Sequence, residues 1–535
     1  MSRTENVVRN FKFSIIKYVL QLILKFVLRT TVIYVLGKEY LGLNGLFSNI
    51  LGLLNLTELG IGSAIVFSMY KPIAKNEIEK IKTLNNLYKK IYFIIAIIVL
   101  VLGTGISPFL NYFISGETPS GVNIYIIYFV YLINTSVSYL AAHKRSLLFA
   151  YQRDDVNNKV SIVFLIILYA LQIALLLLFK NYYMYIGLMP IFTLLESIVI
   201  VRATNKMLPE INGVSKPLDK KTKKEIIKNI SAMGMHKVGD VLVNSTDNIL
   251  ISAFIGLATV GIYSNYLLLT SSISSLILVA VNALRGSTGN LIATSEVEYV
   301  YKRYKMFNFA FAWIAGFCTV CLICLSQDFV LLWTGDSTYL LDNLTMIFVM
   351  FNFYLTSMRY ISSMFKNVAG LMANDVWKPI VQGLVNLAVS ILLAQYWGVF
   401  GIIIGTTISS LIAPIWVEPY VLYKNYFKKS VWKYLLRFAF YTFISAVACG
   451  TTYLLCSLLP TVSVLNFIIK MVICVFVPNI VFIACYFWMP EFKNLFDFAK
   501  NFLKTRILKK KETDIVEDIS QKKIKIEENK EDKID

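Results

Sequence analysis

Apolar runs of about twenty residues recur along this chain, and they limit its fold more than any other feature. A helix needs about 20 predominantly apolar residues to cross the hydrocarbon core of a bilayer. Such runs lie near 12–36, 42–69, 91–112, 122–142, 159–179 and 182–201. A second set lies near 230–255, 258–284, 306–326, 342–364, 378–396 and 400–422, and two more near 436–458 and 464–487. Backbone in lipid must satisfy its own hydrogen bonds, so runs of this length read as helices. The expected fold is an all-α polytopic membrane protein with about 14 transmembrane helices. Composition agrees: of 535 residues, 57% are hydrophobic and 16% charged, with mean hydropathy +0.64. A soluble domain carries about 25% charged residues, so a water-soluble enzyme is excluded.

Against that background the charge is unexpected. Lys and Arg number 52 and Asp and Glu 32, giving +20. Most of the excess falls in alternate connections, as the positive-inside rule requires. Lys71, Lys75, Lys80, Lys82, Lys89 and Lys90 lie between spans two and three, and Arg202 to Lys228 between spans six and seven. The intervening connections carry only Lys38 and Lys180. Both termini are therefore expected in the cytoplasm, with no cleavable signal peptide. No basic segment forms a soluble nucleic-acid module, so no nucleic-acid partner is expected. The domain reading is an N-terminal lobe at 1–206, a cytoplasmic linker at 207–228 and a C-terminal lobe at 229–423. Two further spans follow at 424–490, and a charged cytoplasmic tail at 491–535.

Metal and nucleophile chemistry find little support. His143 and His236 are the only histidines, and Cys318, Cys321 and Cys324 form CxxCxxC inside an apolar helix. These thiols read as small packing residues. No cofactor, metal or catalytic group is called for, and every outer loop is short.

Shifting the chain by 219 residues brings GKEYLGLNGLFSNILGLLNLTELGIGSAIVFSMYKPIA (37–74) into gapless register with GLATVGIYSNYLLLTSSISSLILVAVNALRGSTGNLIA (256–293). Gly37 meets Gly256 and Gly42 meets Gly261. Both stretches sit between the first and second spans of a six-span set. Six is even, so the sets enter the membrane in the same direction. Two parallel six-helix lobes follow, with a cavity between them and two extra helices at the C-terminus.

Ionisable groups inside the spans mark candidate sites, since each costs about 2.5–3.5 kcal/mol to insert. Lys17, Lys25 and Arg29 form one basic stripe on the first span. Lys237, Asp240, Asn244 and Asp247 share an arc of about 80° on the matching seventh span. They read as a cation or proton site, or as partners of the basic stripe. Glu58, Glu196, Arg359 and Glu418 are further intramembrane candidates, Arg359 as a snorkelling residue and Glu418 as the residue before the helix-kinking Pro419. Tyr18, Tyr34, Tyr263, Tyr266 and Tyr354 are candidate stacking rings on or beside these spans.

At 37–74 the chain resembles bacterial polysaccharide exporters of the Wzx type. These are oligosaccharide flippases of the superfamily that also holds MATE drug exporters and peptidoglycan lipid II flippases. The resemblance implies a V-shaped pair of lobes and a substrate of undecaprenyl-diphosphate-oligosaccharide, moved between leaflets by a proton, sodium or potential gradient. Membrane lipid and a polysaccharide polymerase complex are the partners it implies. The basic stripe would cradle a diphosphate, with Lys25 and Arg29 foremost and Lys17 behind them. Two other readings compete. A MATE-type multidrug/cation antiporter would want carboxylates where this first span has cations, and a membrane polymerase or ligase would want a sizeable outer loop.

Overall fold

The computed structural model describes residues 3–54, 61–116, 118–213, 245–498 and 500. Glu58, Lys237, Asp240 and Asn244 lie outside them. Helices account for nearly all of the described chain, and no strand occurs among those residues.

The first half holds α1 (Arg3–Val35), α2 (Lys38–Leu54), α3 (Ile61–Ala74), α4 (Ile78–Ile106), α5 (Ile124–Ser138), α6 (Ala142–Ala150), α7 (Asp154–Phe179) and α8 (Tyr182–Met207). The second half begins with α9 (245–254), followed by α10 (Leu257–Thr294), α11 (Val297–Thr334), α12 (Asn343–Val368), α13 (Lys378–Ile412) and α14 (Pro414–Leu422). The last two are α15 (Trp432–Ser457) and α16 (Val464–Tyr486).

Among the described residues, eleven helical stretches are long and apolar enough to cross a membrane. This is a multi-pass membrane protein. The described parts of the expected second span lie in α2 and α3, with 55–60 outside the described residues, as is most of the expected seventh. The expected eleventh and twelfth spans share α13. At Gly398 the backbone turns (φ 55°, ψ −129°), and the two arms fold back on each other. Ser390 Oγ donates to the carbonyl of Ile402 at 3.1 Å, and Asn386 Nδ2 to Thr406 Oγ1 at 2.8 Å. The count of fourteen remains the sequence's expectation.

Polar residues punctuate the apolar helices where the chain re-enters. Asn123, Asn181, Asp342 and Ser463 precede α5, α8, α12 and α16, and each side chain accepts from backbone N–H groups of the first turn. The two turns related by the 219-residue shift use the same device. Gly37 (φ 100°) joins α1 to α2 and Gly256 (φ 131°) joins α9 to α10, a left-handed backbone that side chains resist.

Helices α1–α8 form one lobe and α9–α14 the other, with α2 packed along α10 at the junction. Helices α15 and α16 lie against α11 and share a second core with it, built around Phe309, Tyr354, Tyr441, Phe482 and Tyr486. The outer faces carry exposed apolar side chains, such as Phe93, Ile97 and Val101 on α4 and Val472, Phe476 and Ile480 on α16. Faces like these belong in lipid.

Candidate functional site

Where α2 and α10 cross, the lobes touch backbone to backbone. A Cβ on Gly42 would stand 2.0 Å from the carbonyl oxygen of Leu257, and one on Gly261 would stand 2.0 Å from that of Lys38. Under the 219-residue shift Gly42 corresponds to Gly261 and Lys38 to Leu257, so the contact is reciprocal. Further contacts close the same end. Trp333 Nε1 donates to Thr30 Oγ1 and the Tyr34 hydroxyl to the Trp333 carbonyl, both at 2.8 Å. Phe26 stacks on Trp333 with centroids 4.5 Å apart, and Ser115 N–H donates to the Ser252 carbonyl at 2.9 Å.

Beside this seal a cleft of ≈ 910 Å³ runs between the lobes, reaching toward the end where α1 begins. Repeat-equivalent positions line both of its walls. Arg29 and Asn248, Asn44 and Tyr263, Gly45 and Ser264, Ser48 and Leu267, and Asn49 and Leu268 are each 219 apart, and all ten face the cleft.

The charges are less symmetric. On α1, Lys25 is exposed to the cleft, and no acid lies within salt-bridge distance of it among the described residues. Arg29 reaches across to α10: its Nε donates to Asn265 Oδ1 at 2.7 Å, and its Nη2 donates to Ser264 Oγ and, at 3.4 Å, to the Gly261 carbonyl. Its partners are neutral, so its charge is held in place without being cancelled. Lys17, half-buried further along α1, is absent from the cleft lining and lies within electrostatic reach of Glu196 and Asp154.

Opposite them Asp247 faces the cleft. Its carboxylate accepts from Thr406 Oγ1 at 3.1 and 3.2 Å and is bonded to Tyr263 and Asn386. No cation pairs with it among the described residues; of the two readings of this span, an ion site or partners for the basic stripe, Asp247 shows no ion pair with Lys25 or Arg29. Glu196 sits inside the N-terminal lobe, accepting from Ser161 Oγ at 2.7 Å and pairing with Arg145 at 3.2 Å.

Arg359 also lines the cleft, and it does not snorkel. Its guanidinium grips Glu418 with two bonds, Nε to Oε2 at 3.2 Å and Nη2 to Oε1 at 2.9 Å. Glu418, only 2% exposed, also pairs with Lys378; Lys378 reaches Asp375 at 3.3 Å, and Lys366 reaches the same carboxylate at 2.5 Å. No local pattern announces this network, because its members are up to 59 residues apart.

The rest of the wall is hydroxyl- and amide-rich, with Ser271, Ser274, Ser275, Asn352, Thr356 and Gln382. Of the five tyrosines singled out in the sequence, only Tyr263 lines the cleft; Tyr169, Tyr185 and Tyr360 join it there. Tyr266 and Tyr354 are buried, bonded to Gln327 and Thr442. Ser264, Ser271 and Ser275 share one face of α10, a helical spacing from which this wall could have been found.

The cysteine motif comes apart. Cys324 meets Cys456 and Cys474, from α15 and α16, with sulfurs within 4.8 Å of one another, while Cys318 and Cys321 stay outside the cluster.

A family model described as polysaccharide biosynthesis protein matches residues 7–284, just over half of the chain. The chain belongs to that family. The match covers nearly all of the first lobe, the glycine crossing of α2 and α10, and most of α10. Among curated proteins none matches it in sequence. Its fold is similar to three solved transporters. The lipid II flippase MurJ, in an inward closed conformation, aligns at TM-score 0.59 and 14% identity over 90% of this chain and 99% of that one. An inward-facing multidrug resistance MATE family transporter aligns at 0.58 and 14%, over 76% and 94%. The Vibrio cholerae MATE transporter VcmN aligns at 0.56 and 13%, over 80% and 98%. At these identities the likeness establishes a shared fold.

Proposed function

We propose that this member of the polysaccharide biosynthesis family is a flippase for undecaprenyl-diphosphate-linked oligosaccharide repeat units. The observation that carries the reading is a cleft between two lobes whose wall presents Lys25 and Arg29 with no acidic partner among the described residues. A cation left unneutralised at membrane depth is costly unless an anion comes to it. A diphosphate supplies that anion, and charge-assisted bonds to its oxygens are among the strong ones. The hydroxyl, amide and tyrosine wall suits sugar hydroxyls and ring faces.

With both termini in the cytoplasm, the seal lies toward the outer leaflet and the cleft opens inward. Parting the lobes at the α2–α10 crossing while they close at the inner end would then expose the same residues to the other side. Asp247, a carboxylate with no cation beside it among the described residues, is the one best placed to respond to a coupling proton or sodium; Asp240, Asn244 and Lys237 on the same span are further candidates. A cationic-drug antiporter is disfavoured, because Lys25 and Arg29 would repel its substrate.

The test is a double substitution, Lys25→Ala with Arg29→Ala, in a strain that depends on this protein for surface polysaccharide. Lipid-linked repeat units should accumulate on the inner leaflet, and surface polymer should fall at least about a hundredfold, each lost charge-assisted bond being worth about 1.5–3 kcal/mol. Undiminished surface polymer at matched expression would refute the cradle.

A further inference from the structure

Buried cations elsewhere in this protein have acids beside them. Lys366 and Lys378 share Asp375, and Lys470 meets Asp328 at 2.6 Å. Lys144 departs from the pattern. It is 5% exposed, and its Nζ donates only to the amide oxygen of Asn212, at 3.0 Å. No acid lies within 4 Å of it among the described residues, and Lys89 and His143 are within electrostatic reach. Lys89 belongs to a polar stripe on α4, with Lys82, Asn86 and Lys90 one or two turns apart on the same face. None of these lysines is in an ion pair among the described residues. Among the described residues this is a concentration of positive charge without acidic partners.

The stripe faces a pocket of ≈ 480 Å³, well away from the central cleft. Lys89, Lys90 and Asn86 form its polar side, and Phe93 and Leu140, both solvent-exposed apolar residues, form the other. The backbone at 212–213 closes it, tied down by Lys144 on Asn212 and by Asn86 Nδ2 donating to the Gly213 carbonyl at 2.9 Å. Lys89 and Lys90 end the charged first half of α4, and the apolar run begins at Ile91. The pocket therefore sits where lipid headgroups meet hydrocarbon, with cations at headgroup level and apolar side chains one turn deeper.

We propose that this pocket binds the phosphate headgroup of an anionic phospholipid, with Lys89 and Lys90 on the phosphate and Phe93 and Leu140 against the glycerol and first acyl carbons. Lys144 supplies charge from behind the wall. Basic pockets between membrane helices are suited to such headgroups. The site goes beyond the transport reading and does not depend on it.

The test uses full-length protein, delipidated in neutral detergent and titrated by native mass spectrometry. Phosphatidylglycerol should be retained and phosphatidylcholine should not. Lys89→Gln with Lys90→Gln, both at exposed positions, should weaken phosphatidylglycerol binding about tenfold or more without changing the lipid-free melting temperature. Lys71→Gln with Lys75→Gln, exposed lysines of the α3–α4 turn, should leave it unchanged. Equal binding of the two lipids, wild-type affinity in the Lys89/Lys90 variant, or the same loss in the Lys71/Lys75 variant would overturn the proposal. So would displacement of the lipid by millimolar inorganic phosphate, which would assign the site to a free anion.

Discussion

At the seal the two repeats meet as equals, and in the cleft beside it they do not. Gly42 lies on Leu257 and Gly261 on Lys38, one contact written twice. A few residues away, the position that carries Arg29 in the first repeat carries Asn248 in the second. Both face the cleft, yet one is a cation and the other an amide. The C-terminal wall has a cation of its own in Arg359, but it arrives there from α12 and is clamped by Glu418. Symmetry is thus kept where two helices must fit each other and lost where the protein faces something else. The lobes also use charge differently: neutral partners position Arg29, whereas Arg359 is tied into a five-residue ionic network.

The largest effect should come from breaking that network. Glu418→Gln leaves Arg359 and Lys378 without their shared counter-ion in a nearly dry site. Removing one partner of a buried pair costs about 3–5 kcal/mol, so the variant should show a large drop in thermal stability in detergent. A melting temperature close to that of the wild type would mean that this wall is wetter than the geometry implies. Next come the two glycines of the seal. Gly42→Ala and Gly261→Ala should each cost about 1–3 kcal/mol by forcing the helices apart, and by similar amounts. If only one of them destabilises, the seal is less reciprocal than its backbone. The smallest stability effect belongs to Lys25→Ala, which removes an exposed side chain without an acidic partner. Unfolding should move by no more than about 0.5 kcal/mol while transport falls. A stability loss comparable to that of Glu418→Gln would show that Lys25 is structural after all.

The sequence made the apolar spans, the 219-residue repeat and the basic stripe legible because each is written locally, in hydropathy, in register or along one helix face. Even the break at Gly398 falls between the expected spans 378–396 and 400–422. What could not be read is pairing across distance. Arg359 looked like a residue near a helix end that would reach for water, and only the packing of α12 against α14 brings it to Glu418. Asn265 and Ser264 gave no hint that they receive Arg29 from another lobe. The grouping of Cys324 with Cys456 and Cys474 is illegible for the same reason, since those thiols come from α15 and α16.

The glycine crossing has a further consequence for the cell that carries this protein. A transporter with a cleft of ≈ 910 Å³ is a potential short circuit for the ion gradients on either side of its membrane. Side chains meeting at a seal leave crevices that a file of water can thread. Two helices in backbone contact leave almost none, so the electrical insulation of the membrane is preserved by the residues with the least material. Widening that crossing by one methyl group should therefore show itself as leak current as well as lost stability.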